Sequence, residues 1–68
     1  MPIIAVSLIE GRDPDTIRRL QDALHDAAVR TLGVPEDTVK VIIRPIPPEL
    51  WCSGGETIAE RRQRETIA

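Results

Sequence analysis

The stretch Ile3-Ile4-Ala5-Val6-Ser7-Leu8-Ile9 decides the fold of this 68-residue chain. It is rich in β-branched residues and almost wholly apolar, which predicts a strand that is covered on both faces. Glu10-Gly11-Arg12 ends this strand. Asp13-Pro14 then begins a helix, because aspartate is a favourable N-cap and proline suits the first helical position. The start of the chain therefore predicts a β-α unit.

The predicted helix carries one apolar stripe and ends at Gly33. Glycine is the usual residue just beyond a helix, and Pro35 prevents the helix from continuing. Apolar and small residues recur at spacings of three and four, as one buried helical face requires. These residues are Ile17, Leu20, Leu24, Ala27, Ala28 and Thr31. His25 lies beside the stripe, and we expect it to be a solvated surface residue.

A second strand is predicted from Thr38 to Arg44, and its residues alternate between two faces. One face holds Val39, Val41 and Ile43, and the other holds Lys40, Ile42 and Arg44. Strand, helix and strand in this order form a βαβ unit with parallel strands, and the helix covers only one face of the sheet. The other face needs cover, which a second copy of the chain supplies most simply.

The next segment predicts a turn and a short hairpin. Pro45, Pro47 and Pro48 are expected to end the second strand, because proline cannot donate to a strand ladder. Ser53-Gly54-Gly55 supplies the dihedral angles of a tight turn, which predicts a hairpin between Leu50 and Ile58.

Length and composition limit the class of protein. A chain this short forms at most one domain and buries only about 60% of its unfolded surface, so we expect oligomerisation. The net charge is −2 and Trp51 is the single aromatic residue, which argues against a nucleic-acid partner. His25 and Cys52 are the single His and Cys, so we expect no disulfide and no metal site. No membrane-spanning run or secretory signal is seen, and we expect a cytoplasmic location.

Pro2 is a candidate catalytic residue. If Met1 is removed, the nitrogen of Pro2 becomes a free secondary amine that can act as a base, whereas an internal proline nitrogen is an amide. The alternative is a proline that starts an edge strand, which proline tolerates well. From the dipeptide Met1-Pro2 alone, this alternative is favoured.

Four motifs follow one another in a defined order. They are Pro2, Leu8-Ile9-Glu10-Gly11-Arg12, Val39-Lys40-Val41-Ile42-Ile43 and Trp51-Cys52-Ser53-Gly54-Gly55-Glu56. In this order and spacing, the chain resembles the 4-oxalocrotonate tautomerase family from Pro2 to about Arg62. The resemblance implies an α+β fold, in which a β-α-β protomer carries a short C-terminal hairpin and two protomers form a four-stranded sheet.

The resemblance also implies the extent of the domain and its assembly. Residues 1–62 would form a single tautomerase-like domain. Residues 63–68 would form a C-terminal tail, for which the charged sequence from Glu60 onward predicts a frayed helix or disorder. The implied assembly is a homohexamer, a trimer of dimers, with a hetero-oligomer of two kinds of chain as the alternative.

The activity that the resemblance implies is that of a cofactor-free isomerase. Pro2 would be the general base that moves a proton between carbon atoms of a small unsaturated keto or enol carboxylic acid. This tautomerase reaction would belong to aromatic catabolism in the cytoplasm. It implies neither a nucleic-acid nor a membrane partner.

Three further residues match the substrate-binding positions of the family. Arg12 matches an arginine that binds a substrate carboxylate, and Trp51 matches an aromatic residue that keeps the site apolar and the proline amine neutral. Lys40 is a departure, because the best-known members carry a second arginine there. Lysine keeps the charge and loses the bidentate fork. We therefore expect weaker binding of diacids such as 2-hydroxymuconate and a relative preference for monoacids.

Two other functions remain open at the level of sequence. The first is hydration or dehalogenation of 3-haloacrylate-like acids, in which relatives use a protonated proline and a carboxylate that activates water. Glu49 and Glu56 lie near the expected position of that carboxylate. The second is a non-catalytic assembly subunit, paired with a different chain that supplies the arginine which Lys40 replaces.

Overall fold

The chain folds as a β-α-β unit followed by a hairpin and a second helix. The computed structural model describes residues 2–67, with Ile67 described by its backbone alone. The elements are β1 (Ile3–Ile9), α1 (Pro14–Leu32), β2 (Lys40–Ile46), β3 (Cys52–Ser53), β4 (Glu56–Thr57) and α2 (Ile58–Ile67). β1 is parallel to β2, and β3 is antiparallel to β4. The predicted β-α-β protomer with a C-terminal hairpin is confirmed.

Both ends of α1 lie where the sequence predicts them. Asp13 is the N-cap, and its carboxylate accepts a hydrogen bond from the Thr16 amide at 3.1 Å. Gly33 adopts the left-handed conformation with φ of 66°, which glycine enters without steric cost. Its amide donates to the carbonyl of Val29 at 2.9 Å and closes the helix.

The bounds of β2 differ from the prediction by two residues at each end. Thr38 belongs to a 3-10 turn, Glu36–Thr38, in which its hydroxyl donates to the carbonyl of Pro35 at 2.7 Å. At the other end, β2 continues through Pro45 to Ile46. The expectation that Pro45 ends the strand is therefore wrong.

The hydrogen bonds of the parallel ladder explain why Pro45 is tolerated. The Lys40 amide donates to the carbonyl of Pro2 at 3.0 Å, and the Glu10 amide donates to the carbonyl of Ile46 at 3.0 Å. Even-numbered residues of β2 thus bond to β1, and odd-numbered residues direct their backbone groups to the outer edge. The missing N–H of Pro45 falls on that edge, where no ladder bond to β1 is lost.

The sheet is covered on one face only. Ile4, Val6 and Leu8 are half-buried on the face toward α1, as are Val41 and Ile43 of β2. The opposite face is open, and there Ile3 is 65% exposed and Ile42 is 42% exposed. Val39, which is 8% exposed, is the one buried residue in the described part of the chain.

Ser7 lies on this open face. A strand covered on both faces, as predicted, would bury the Ser7 hydroxyl, but the side chain is exposed and makes no hydrogen bond within residues 2–67. The expectation failed because the strand is uncovered on the side of Ser7 in a single protomer.

The protomer is elongated. Its Cα radius of gyration is 15.9 Å, against about 11 Å for a compact domain of this length, and its extents are 50 × 24 × 15 Å. Its accessible surface is 5093 Å², against about 4300 Å² for a compact monomer of this mass. A single copy therefore leaves surface exposed that a compact fold of this size buries.

Residues 51–67, which we call the C-terminal arm, consist of Trp51, the hairpin and α2. α2 begins with a capping box, in which the Thr57 amide donates to the Glu60 carboxylate at 2.8 Å and the Glu60 amide donates to the Thr57 hydroxyl at 3.0 Å. The tail, for which the sequence predicts a frayed helix or disorder, belongs to α2 as far as Ile67. Ala68 lies outside the described residues.

An ion-pair cluster joins the hairpin to α2. The Glu56 carboxylate accepts from Nε of Arg61 at 3.2 Å and from Nε and Nη2 of Arg64 at 3.0 and 3.1 Å. The hydrogen bonds with Arg64 and then Arg61 hold the pKa of Glu56 below its usual range. In addition, the Ile58 amide donates to the carbonyl of Trp51 at 2.9 Å, which fixes the start of α2 beside Trp51.

His25 is a contact residue and not a freely solvated one. Its Nδ1 lies 3.0 Å from Oδ1 of Asp26, and its Nε2 lies 3.2 Å from the carbonyl of Glu36 in the turn before β2. The hydrogen bond with Asp26 raises the pKa of the imidazole, and the Glu36 carbonyl adds to this. The side chain is 28% exposed and links α1 to the following turn.

The variant Glu56→Gln tests the ion-pair cluster of the arm. Because its pKa is lowered, Glu56 contributes stability that is complete above the ordinary glutamate pKa and is lost as the pH falls through the lowered pKa. We expect Trp51 fluorescence and the helical circular dichroism of the wild type to change in this acidic window. Glu56→Gln should lack the part of this change that protonation of Glu56 causes. At neutral pH, its helical circular dichroism should already be weaker than that of the wild type, because α2 is held less firmly to the hairpin.

Glu49→Gln is the matched control, because Glu49 lies on the neighbouring turn and makes no ion pair within the described part of the chain. It should keep the wild-type response to acid. An identical acid response in Glu56→Gln and the wild type would contradict the role of the cluster.

Candidate active site

Pro2 and Lys40 are neighbours at one end of the sheet. Pro2 directly precedes β1 and is half-buried, and its carbonyl accepts the hydrogen bond from the Lys40 amide. Lys40 pairs with Ile3 in the register, and its Nζ donates to the carbonyl of Asp37 at 3.1 Å. Met1, which decides whether Pro2 carries a free amine, lies outside the described residues. The sheet thus brings the candidate base and one candidate cation together within one chain.

Arg12 and Trp51 lie at the other end of β1. Gly11 has φ of 130°, a backbone conformation that favours glycine, and it turns the chain between the strand and Arg12. Nη1 of Arg12 donates to the carbonyl of Ile9 at 3.1 Å. Trp51 is half-buried, and its carbonyl accepts the amide of Ile58. The side chain of Arg12 and the backbone of Trp51 are therefore each held by a nearby backbone group.

Arg12 and Trp51 line one open groove of about 690 Å³ between the end of β1 and the C-terminal arm. The residues around the groove are Ser7, Leu8, Ile9, Glu10, Gly11, Arg12, Trp51 and Arg62. Arg62 is a residue that the sequence reasoning did not select. The signal that could have found it is Thr57-x-x-Glu60, a capping-box pattern that predicts a helix start five residues before Arg62.

The four predicted site residues form two separate pairs in a single protomer. β1 has seven residues, so its ends are about 20 Å apart at a rise of roughly 3.3 Å per residue. Pro2 and Lys40 lie at one end, whereas Arg12 and Trp51 lie at the other. No small carboxylic acid spans that distance. A site that uses all four residues must therefore draw them from more than one chain.

The charges around the groove are unequal. Two guanidinium groups, those of Arg12 and Arg62, line it together with one carboxylate, that of Glu10. Glu56 is close in sequence to Trp51, but its carboxylate is occupied by Arg61 and Arg64. Within residues 2–67 no group of three His, Cys, Asp or Glu side chains is arranged to hold a metal ion, and no helix is long and apolar enough to cross a membrane. The groove is suited to anions.

The fold and these residue pairs define a class of small α+β protein built on a β-α-β protomer. The family model for the tautomerase enzyme matches residues 2–61. A probable tautomerase of Ralstonia nicotianae is 46% identical over 55 residues, which are 81% of this chain and 79% of that protein. A probable tautomerase of Streptococcus pneumoniae is 34% identical over 56 residues, covering 82% of this chain and 93% of that protein. The chain belongs to the tautomerase family.

Solved structures agree with this assignment. TomN, a 4-oxalocrotonate tautomerase homologue in the tomaymycin biosynthetic pathway, superposes with a TM-score of 0.87 at 48% identity, covering 91% of this chain and 95% of TomN. A heterohexamer 4-oxalocrotonate tautomerase from Chloroflexus aurantiacus gives a TM-score of 0.83 at 35% identity, covering 88% of this chain and 97% of that chain. The resemblance to the 4-oxalocrotonate tautomerase family is confirmed.

Proposed function

We propose that this chain is a cofactor-free tautomerase that moves a proton within a small unsaturated 2-oxo or 2-hydroxy carboxylic acid. Pro2 is the general base, after removal of Met1. Arg12 and Lys40 bind the acidic and enol oxygens of the substrate, and Trp51 forms the apolar wall. Family membership supports the class of reaction. The observation that carries the proposal of a shared site is that the four candidate residues lie as two pairs at opposite ends of β1.

The free edge of β1 supports a site shared between chains. Even-numbered residues of β1 bond to β2, so Ile3, Ala5, Ser7 and Ile9 direct their backbone groups to the other edge. Two β1 strands that pair antiparallel along this edge form a four-stranded sheet. Such a pairing brings the Pro2 end of one strand beside the Arg12 end of its partner.

The exposed face of the sheet supports a larger assembly. A dimer through the β1 edges still leaves the face of Ile3 and Ile42 uncovered, and both side chains are more exposed than a stable core allows. A homohexamer, a trimer of such dimers, covers this face with further copies. The chain from Chloroflexus aurantiacus belongs to a heterohexamer, so a second kind of chain is the alternative partner.

Assembly also gives Pro2 the properties of a base. An ordinary α-amino group loses its proton at about pH 7.7 to 8.0. Burial between subunits and the nearby charges of Lys40 and Arg12 both disfavour the protonated amine. The neutral amine is then present at neutral pH, where a base of matched strength transfers protons most effectively.

The proposed reaction has two proton transfers. Arg12 binds a carboxylate, and Lys40 stabilises the negative charge that develops on the carbonyl or enol oxygen. The neutral amine of Pro2 takes a proton from the substrate, and the resulting ammonium returns it to another carbon of the conjugated chain. The wall of Trp51 excludes water, which strengthens these charge interactions. No metal or organic cofactor takes part.

We propose tautomerisation rather than hydration or dehalogenation of a 3-haloacrylate. That alternative requires a free carboxylate to activate water. Glu56, one of the two carboxylates considered, is held by two arginines, and Glu49 lies on the turn outside the residues that line the groove. Tautomerisation needs only the base and the anion-binding groups.

Mixed assemblies test whether the site is shared between chains. One chain carries an N-terminal extension, which leaves Pro2 without a free amine, and the other carries Arg12→Ala. Each should be inactive alone. If they are unfolded together and refolded as a 1:1 mixture, about a quarter of the shared sites receive both native groups, so activity should return to about a quarter of the wild-type level.

Mass spectrometry of the wild type is the first control and should show the loss of Met1. Size-exclusion chromatography should show the same assembly for all preparations. If the mixture stays inactive although mixed oligomers form, Pro2 and Arg12 do not act in one shared site. Retained Met1 in a fully active enzyme would exclude Pro2 as the base.

Lys40→Arg tests the second anion contact. Restoring the planar fork should raise kcat/KM for 2-hydroxymuconate by up to about tenfold and change turnover of the monoacid phenylenolpyruvate less, because one good charge-assisted hydrogen bond accounts for such a factor. Arg44→Lys, on the same strand face, is the control and should have no such effect. Equal values for Lys40→Arg and the wild type would remove Lys40 from the substrate site.

Ile42→Glu tests the role of the open sheet face in assembly. A carboxylate at this position would be buried without a partner in the assembly, so we expect dissociation to smaller species and loss of activity. Leu32→Glu is the matched control, because Leu32 is 58% exposed at the end of α1 and away from the sheet face. Analytical ultracentrifugation measures the outcome, and an unchanged sedimentation coefficient for Ile42→Glu would contradict the proposed interface.

A further inference from the structure

His25 is a titratable residue that the proposed mechanism does not use. It lies on α1 and contacts the 3-10 turn Glu36–Thr38, which comes shortly before β2. Its Nε2 lies 3.2 Å from the carbonyl oxygen of Glu36, and the Val39 amide donates to that same oxygen at 3.3 Å. The side chain of His25 therefore contacts the carbonyl group that closes the turn.

The turn that His25 contacts also holds Lys40. Nζ of Lys40 donates to the carbonyl of Asp37 at 3.1 Å, and the Lys40 amide donates to the carbonyl of Pro2 at 3.0 Å. Val39, between the turn and Lys40, is the one buried residue that the structure describes. A short series of contacts thus connects the imidazole to the side chain of Lys40.

Both ring nitrogens of His25 lie beside oxygen atoms that accept hydrogen bonds and cannot donate them. Nδ1 lies 3.0 Å from Oδ1 of Asp26, and Nε2 lies beside the Glu36 carbonyl. A neutral imidazole has one N–H and donates to one of these oxygens, whereas the imidazolium has two and donates to both. The observed arrangement is therefore that of the protonated ring.

Loss of the proton removes one of the two hydrogen bonds. The carboxylate of Asp26 is charged and is the stronger acceptor, so we expect the remaining N–H to stay with Asp26. The hydrogen bond with the Glu36 carbonyl is then lost. Deprotonation of His25 thus frees the turn from α1.

The surroundings of the imidazole favour its protonated form. The hydrogen bond with Asp26 raises the pKa of His25 most, and the carbonyl and the negative charge of Glu36 add to this, against the effect of burial. The contact is therefore complete below the ordinary histidine pKa and is lost as the pH rises through the raised pKa. The charged residues on the elements around the ring are Arg18, Asp22 and Asp26 of α1, Glu36 and Asp37 of the turn, and Lys40 of β2.

We propose that His25 is a positioning residue for Lys40, and that its imidazolium form fixes the turn Glu36–Thr38 on α1 and so keeps Lys40 beside Pro2. The neutral form releases the turn. The effect on the turn needs no catalysis, and only the effect on turnover rests on the proposed function. The contact adds a pH dependence at Lys40 that is separate from the protonation of Pro2.

Nuclear magnetic resonance tests the effect on the turn directly. His25 is the one histidine of the chain, so its ring resonances give its pKa without overlap from another imidazole. The hydrogen-exchange protection factor of the Val39 amide reports on the bond to the Glu36 carbonyl. We expect this factor to fall about fivefold as the pH rises through the pKa of His25, because one ordinary hydrogen bond accounts for such a change.

Asp26→Asn tests the link between the proton and the turn. It removes the negative charge beside Nδ1, so the pKa of His25 and the midpoint of the fall in Val39 protection should move to lower pH together. Asp22→Asn is the matched control, because it removes the same charge from α1 but Asp22 pairs with Arg18 at 2.9 Å and not with His25. Both midpoints should stay close to those of the wild type.

His25→Gln tests the contact without the titration. Its side-chain amide can donate to the Glu36 carbonyl and carries no titratable proton. Val39 protection should therefore remain at the level that the wild type shows at low pH and should not change across the histidine range. Circular dichroism and size-exclusion chromatography confirm folding and assembly for each variant.

The pH dependence of turnover tests the positioning of Lys40. In an active enzyme, kcat for phenylenolpyruvate should fall as His25 loses its proton, and KM should change less, because Lys40 stabilises charge that develops in the transition state. The midpoint of this fall should move to lower pH in Asp26→Asn and stay in place in Asp22→Asn. In His25→Gln this fall should be absent.

The outcomes separate this inference from the proposed function. Val39 protection that stays constant while His25 titrates, or a midpoint that does not move in Asp26→Asn, would overturn the contact. Turnover that does not follow the pKa of His25 in an active enzyme would overturn the positioning of Lys40. If the turn responds to His25 but the wild type tautomerises neither 2-hydroxymuconate nor phenylenolpyruvate, the proposed function fails and the pH-dependent contact stands.

Discussion

The parallel pairing of β1 with β2, covered on one face by α1, is the constraint on which the rest of the structure depends. A right-handed β-α-β crossover places its single helix on one side of the sheet, so the other side remains open. Here that side carries Ile3 and Ile42, and Val39 is the one buried residue that the structure describes. The protomer therefore lacks a core of its own. In the proposed function, its stability and its chemistry both depend on further subunits, since the groups that would form the site lie at opposite ends of the same open sheet.

The length of β1 connects the assembly to the site. Seven residues separate Pro2 from the Glu10-Gly11-Arg12 turn, and in the proposed dimer an antiparallel partner strand places the Pro2 end of one chain beside the Arg12 end of the other. The C-terminal arm adds the wall of the groove, and the hydrogen bond between Ile58 and Trp51 and the capping box of α2 hold the parts of the arm together. In the proposed function, the subunit assembly, the length of β1 and the C-terminal arm together determine the geometry of the site.

The sequence predicts those parts of the fold that depend on local rules. Asp13-Pro14 and Gly33 define α1 because capping involves neighbouring residues, and the glycine turn defines the hairpin for the same reason. The end of β2 was misjudged, since the effect of Pro45 depends on which strand edge its nitrogen faces, and that follows from pairing with β1. The contact of His25 with the Glu36 carbonyl spans 11 residues and leaves no local signal. The roles of Pro2, Arg12, Lys40 and Trp51 came from resemblance, and the arrangement of these residues as two distant pairs came only from the structure.

The position of Lys40 beside Pro2 bears on the stage of assembly at which the Pro2 amine becomes an effective base. In the proposed mechanism, the Lys40 ammonium of the same chain disfavours a positive charge on the Pro2 amine, but Lys40 is exposed to water, which weakens this effect. The charge of Arg12 and the apolar wall of Trp51 are then supplied by another subunit. Assembly then removes water and adds positive charge at the same place, so both changes favour the neutral amine together. In the proposed mechanism, the base becomes effective only after the subunits have assembled, and an isolated protomer has neither the proton acceptor in its active state nor a complete binding site for the acid.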